Sequence, residues 1–217
     1  MKRSILAYLI RCLLIPVFIF ISPNVSAEGG NRNVVGNIDG LQGKPHLIRG
    51  DRRITVDHNT LVQTGDRLVT PKGSRLSLRF NDNTRVNLGE TTQFEIKRYQ
   101  FDQKAGTSDA QFKLLKGAFR AITGAIGKQK NPKFEVETSV ATIGIRGTDF
   151  LAGFIFSENL DVAMISGKGV YILNTQGQVE IDQAGQGTTV KADQIPASVK
   201  IWPKEKLEKA LAATALK

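Results

Sequence analysis

Glu135 and Glu137 stand two apart in Phe134-Glu-Val-Glu137, a spacing that puts both carboxylates on one side of a strand. Twice the rise per residue separates them by about 7 Å, near the carboxyl separation of inverting glycosidases. Catalytic carboxylates, however, flank a sugar from different elements, so a solvated acidic face is the expectation. His46 and His58 are the two histidines, and neither has a second ligand at a zinc-like spacing. Gly127-Lys128 lacks the rest of a phosphate-cradling loop, because Ile122 and Gln129 stand where a glycine and a Ser or Thr are needed. Ser74, Ser77 and Ser139 lie in no nucleophile-elbow pattern. These residues predict a protein that is not an enzyme and that holds neither a metal nor a cofactor.

A surface remains. In Arg75-Leu-Ser-Leu-Arg-Phe80 the apolar Leu76, Leu78 and Phe80 alternate with Arg75, Ser77 and Arg79, the pattern of a strand with one buried side. Asn81-Asp-Asn-Thr84 is the turn, and Val86 with Leu88 continues the inner side on the return strand, leaving Arg85 outward. Arg75, Ser77, Arg79 and Arg85 are therefore the candidate contact face, for an anion or for another protein. The alternative is a solvated face that protects the sheet from edge association. No aromatic interrupts it, which argues against stacking on sugars or bases.

Elements able to carry such a face recur along the chain. From Val34 to Val199 short alternating runs are separated by glycine, asparagine and aspartate, and the runs centred near Leu78, Val86 and Phe94 recur every eight to ten residues or so. The expected fold is all-β, with many short antiparallel strands in a sandwich, roll or solenoid-like domain over 34–199. Phe112, Leu115 and Phe119 also fit a helical period, but Gly117 opposes a helix by about 1 kcal/mol relative to alanine. Residues 124–132 read as a polar, mobile loop, and Leu151 to Phe156 as a central strand. After Trp202-Pro203, Leu207, Ala210, Leu211 and Ala215 form one stripe, predicting a short helix over 203–217 that caps the β core.

Met1 to Ala27 has a basic start, an apolar stretch from Cys12 to Ile21, and Val25-Ser26-Ala27 at its end, the layout of a secretory signal peptide cleaved after Ala27. Arg11 and Pro16 leave a second reading, an uncleaved anchor. Residues 28–33 read as a flexible leader. Cleavage would remove Cys12, the one cysteine of the 217 residues, and with it any disulfide or thiolate chemistry. It would also remove Lys2, Arg3 and Arg11, bringing the net charge from +10 to +7. The expected location is periplasmic or secreted, with no stable membrane span once cleaved. Export makes nucleic acid a poor partner for this basic chain. An envelope protein is the expected partner, with the cell wall or another anionic glycan as the alternative.

The run Thr138-Ser-Val-Ala-Thr-Ile-Gly-Ile-Arg-Gly-Thr-Asp-Phe150 resembles the signature of the FecR-type periplasmic domain. So do Gly65-Asp66 through Phe80, Asn81 through Leu88, Gly167-Lys-Gly-Val170 and Gly185-Gln-Gly-Thr188, so that the likeness spans about residues 34–196. Gly144, Arg146, Gly147, Thr148 and Asp149 are expected to be structural. Gly147 would turn the backbone, and Arg146 would clasp nearby carbonyls with its five donors. The resemblance implies strand, turn, strand for the segment around Gly117. It also implies a sensory module of envelope signalling, here expected to stand alone, without the cytoplasmic arm that engages a sigma factor.

Overall fold

The computed structural model describes residues 34–216; the expected signal peptide and leader lie outside them. In chain order the strands are β1 (Val34–Gln42), β2 (His46–Arg49), β3 (Arg52–Thr55), β4 (Leu61–Gln63), β5 (Arg67–Thr70), β6 (Arg75–Phe80), β7 (Arg85–Leu88), β8 (Thr92–Asp102) and β9 (Thr107–Lys116). There follow β10 (Ala118–Ile122), β11 (Phe134–Glu137), β12 (Thr142–Ile145), β13 (Thr148–Gly153), β14 (Leu160–Gly167), β15 (Val170–Asn174), β16 (Gly177–Ile181), β17 (Gln186–Val190) and β18 (Lys200–Ile201). One helix, α1 (Lys204–Thr214), closes the chain. No helix among the described residues is long and apolar enough to cross a membrane.

The strands form two nine-stranded sheets, ordered β18-β17-β14-β13-β10-β7-β6-β1-β4 (sheet A) and β16-β15-β12-β11-β9-β8-β5-β2-β3 (sheet B). Both orders follow the sequence almost monotonically. The chain crosses between the sheets as it advances, so a two-layer sandwich is built by a solenoid-like winding. All strand pairs are antiparallel except β9 with β11. The fold class expected from the alternation is thus borne out, and the ambiguous segment is strand, turn, strand, with Gly117 at φ +83° between β9 and β10.

One core lies between the sheets. Leu76, Leu78, Val86, Leu88, Phe94, Ile96, Phe112 and Ile143 are all fully buried. Phe80, Tyr99, Phe94, Phe112, Phe119, Phe134 and Phe150 form a chain of ring contacts through it, from the 4.7 Å stack of Phe80 on Tyr99 to the edge contact of Phe119 on Phe150. A second, smaller cluster lies outside sheet A, where Leu207, Ala210 and Leu211 of α1 and Trp202 cover Leu151 and Ala163.

The C-terminal end of α1 rests on β6. The Arg75 guanidinium, buried at 6% exposure, donates from Nη1 to the carbonyl oxygens of Ala212, Ala213 and Ala215 at 3.0, 2.8 and 2.9 Å. The last carbonyls of a helix have no partners of their own and carry a partial negative charge. α1 has no basic residue in its described last turn, so the cation comes from the sheet. At the other end Lys206 reaches Asp161 at 3.3 Å and lies 3.8 Å from the Trp202 ring centroid.

Two expected elements differ. Residues 124–132 are not a solvated loop throughout, since a 3-10 turn, Ile126–Lys128, buries Ile126 completely. The strand expected over 151–156 ends at Gly153, leaving Phe154 and Ile155 half-buried and Phe156 exposed; its outer side packs on Trp202, 6.2 Å away between ring centroids.

Arg75→Ala leaves three helix-terminal carbonyls without their donor. Its expected cost is about 1.5–3 kcal/mol, the range for hydrogen bonds to a charged group, read as a lower denaturation midpoint. Faster amide exchange should be confined to α1 and β6; a uniform change across both sheets would contradict the assignment.

Candidate functional site

The family-like blocks carry two buried carboxylates and a third partly buried one that organise the structure around them. Asp66, fully buried, accepts Nε and Nη2 of Arg49, both at 2.7 Å, and the amide of Gln63 at 2.8 Å. The same Arg49 Nη2 donates to the Leu61 carbonyl at 2.9 Å, joining sheet B to the edge of sheet A. Asp82, in the turn between β6 and β7, is 2% exposed. Its Oδ1 accepts from the Thr84 amide at 2.8 Å and the Tyr99 hydroxyl at 2.5 Å; its Oδ2 accepts from Thr84 Oγ1 at 2.8 Å and the Ile126 amide at 2.9 Å. Burial, then the Asp82 charge, holds the Tyr99 phenol far above its ordinary pKa. The third, Asp149, is partly buried and takes Nε and Nη2 of Arg120 at 2.8 and 2.7 Å.

These contacts explain the signature. Gly147 sits at φ +79°, and a Cβ there would lie 2.2 Å from the Gly127 carbonyl oxygen, so the turn packs directly on the loop that Asp82 holds. The Thr148 hydroxyl donates to the Gly169 carbonyl at 2.8 Å, and its amide donates to Thr123 Oγ1 at 2.9 Å. Gly144 lies beneath Tyr171, whose ring would be within 2 Å of any Cβ placed there. An aromatic side chain thus covers a backbone that offers none of its own.

Arg146 is not the clasp. Its guanidinium is 61% exposed and pairs with Glu180 at 2.9 Å. Thr148 and the backbone do the fastening, because Arg146, in the bend that follows β12, turns its side chain to the surface. The arginine instead borders a cleft of about 340 Å³ on the outer side of sheet B, lined by Arg146, Tyr171, Gln178, Val179 and Glu180. Burial, then the charge and hydrogen bonding of Glu135, raise the Tyr171 pKa, while Arg146 opposes the shift. The cleft therefore offers an aromatic hydroxyl between an arginine and carboxylates.

The contact face expected on β6 and β7 is divided by the structure. Arg75 and Ser77 are buried, Arg75 under the end of α1 and Ser77 with its hydroxyl donated to Asn87 Oδ1 at 2.8 Å. Arg79 and Arg85 stay near the surface around Asp39, with Arg79 Nη2 at 2.8 Å and Arg85 Nε at 3.9 Å. The arginines that suggested an anionic glycan are thus engaged within the chain. Glu137 pairs with Lys97 at 2.9 Å, and Glu135 faces Tyr171. His46 is buried beside Arg53 and its pKa is lowered by burial and by that charge, whereas His58 is exposed. Among the described residues no three His, Cys, Asp or Glu side chains gather as a metal site would need. Sequence reasoning missed Arg49, Asp82, Tyr171 and Glu180. Only Asp82 had a local signal, an aspartate two residues before a threonine in a turn.

Fold and site together define a two-sheet β module fastened by buried carboxylates, with a polar aromatic cleft on its uncovered sheet. Residues 66–168 match the family model described as FecR protein, so this stretch is a FecR domain, as the resemblance implied. Two crystal structures of a candidate anti-sigma factor from Parabacteroides distasonis ATCC 8503 share the fold, with TM-scores of 0.50 and 0.51. Each is 15% identical over 65% of this chain, which spans 62% of theirs. No curated protein matches the chain.

Asp82→Ala strips the acceptor from two buried amides and two hydroxyls. The expected loss is about 3–5 kcal/mol, the sum of several buried neutral donors left unsatisfied at roughly 1–3 kcal/mol each and eased by relaxation, measured by denaturant unfolding. Ser77→Asp should also destabilise, by roughly 1–3 kcal/mol, since it buries a carboxylate beside Asn87; an unchanged midpoint would place residue 77 in solvent.

Proposed function

We propose that this chain is a non-catalytic interaction module of the cell envelope, acting in signalling or assembly by binding another protein. The binding surface is the cleft of Arg146, Tyr171, Gln178 and Glu180. One observation carries the reading: within the signature, Gly147, Thr148 and Asp149 are consumed by internal contacts, whereas Arg146 stands exposed beside a half-buried tyrosine. Arginine and tyrosine are the side chains that most often dominate binding energy at protein interfaces. The FecR domain and the anti-sigma-like fold support a regulatory role rather than a catalytic one. The segment over 1–27, read as a secretory signal peptide, supports a periplasmic location.

The test is photo-crosslinking in cells from position 178, which lines the cleft. A discrete adduct with a protein other than this chain is expected. Arg146→Ala should weaken that complex by about 2 kcal/mol, roughly 30-fold, and leave the melting temperature unchanged. An adduct indifferent to Arg146→Ala and Tyr171→Ala would overturn the proposal. So would saturable turnover of an envelope substrate that disappears in Glu135→Gln.

A further inference from the structure

The two sheets end differently. The edges of sheet A are blunted: at β4 the Leu61 carbonyl takes Arg49 and the Gln63 amide takes Asp66, and at the other side β18 is only two residues long. Sheet B ends in β3 and β16, of four and five residues. Among the described residues no backbone hydrogen bond engages the outward side of Arg52–Thr55 or of residues 178–181. Such edges are templates for another strand.

The two edges differ in charge. β3 carries Arg52 and Arg53, both exposed, whereas β16 carries exposed Glu180 and is followed by exposed Asp182. Edges of like charge would repel each other; these attract. Their directions also match. Along sheet B every neighbouring pair is antiparallel except β9 with β11, so β3 and β16 run in opposite directions. A second copy displaced along the sheet without being turned over therefore presents its β16 antiparallel to β3.

The faces agree as well. Ile54 lies opposite buried Leu47 and Val179 opposite buried Ile172, so both point to the core side; Arg53, Thr55, Gln178 and Glu180 point outward. One register keeps every face: Arg53 beside Glu180, Ile54 beside Val179, and Thr55 beside Gln178 of the next copy. Each is a favourable cross-strand combination. Arg146 occupies Oε1 of Glu180, leaving Oε2 to accept Arg53.

We infer that this chain associates head to tail with copies of itself, β3 of one adding to β16 of the next and extending sheet B. The contact is heterologous, so it propagates as a ring or a filament rather than stopping at a dimer. The inference rests on the strand edges rather than on the cleft; Gln178 and Glu180 belong to both, so the two contacts compete for a given copy, and the tests separate them because one captures this chain and the other a different protein.

The test uses the full chain with Cys12→Ser, expressed in cells under oxidising conditions. Directly opposed residues of an antiparallel pair lie within disulfide reach, so Thr55→Cys with Gln178→Cys in one chain should give a ladder of disulfide-linked multimers containing only this chain. Each cysteine alone should give none. Adding Arg53→Glu should reduce the ladder by about tenfold, ~1.4 kcal/mol. Mixing a chain bearing Arg53→Glu and Thr55→Cys with one bearing Glu180→Arg and Gln178→Cys should restore a linked pair. A monomeric double-cysteine protein would overturn the inference, as would a dimer from Gln178→Cys alone, which would show β16 pairing with itself.

Discussion

A buried carboxylate in a four-residue turn holds the signature in place. Asp82 accepts four hydrogen bonds from side chains and backbone, and its own carbonyl takes the Ala125 amide at 2.8 Å. Those bonds draw the 124–128 segment down onto the sheets, burying Ile126 and bringing the Gly127 carbonyl to the place a side chain at 147 would occupy. The turn at Gly147 packs against that carbonyl, and the turn decides where Arg146 points. An ionised group inside a protein persists only when its lone pairs are satisfied. The aspartate and its donors are consequently a single unit, and the turn that precedes Thr148 and follows Arg146 is packed against the segment that unit holds.

The sheets share one core but have unequal outer sides. α1 and Trp202 cover part of sheet A, and the cover is fastened at both ends by charge: Arg75 on the carbonyls at the C-terminus, Asp161 with Lys206 near the N-terminus. A helix of eleven residues gains little stability alone, so its packing on Leu151 and Ala163 and these two contacts hold it. Arg75, Lys206 and Trp202 on that side are engaged within the chain. Among the described residues no helix covers the outer side of sheet B, and there an exposed arginine, a half-buried tyrosine and strand edges coincide.

The winding of the chain has the same effect at larger scale. Because strands are laid down nearly in sequence order, early and late segments come to opposite sides of each sheet. Sheet A spends its first side on the Arg49–Asp66 pair and shortens its last to two residues. Sheet B does neither, and its two edges inherit the local composition of distant parts of the sequence, basic near residue 52 and acidic near residue 180.

Much of the fold was legible because alternation is local. The period-two pattern of Leu76, Leu78 and Phe80 against Arg75, Ser77 and Arg79 assigns faces from six residues, and every inward assignment there agrees with burial. The glycine at 117 likewise argued against a helix from its own backbone freedom, while the turn there was implied by the family resemblance. The site was legible only as a motif: the sequence located the signature and its turn but misassigned the work of Arg146. It also placed Arg75 and Ser77 outward correctly, yet could not show that the outward side is covered. What covers Arg75 lies 137 to 140 residues further along the chain. The sequence alone therefore determined the strands, their inner faces and the family-like blocks, because each follows from neighbours in the chain. The tertiary structure alone decided which outward charges are buried, which carboxylates fasten the fold and which arginine stays exposed, because those outcomes depend on desolvation by residues that only folding brings together.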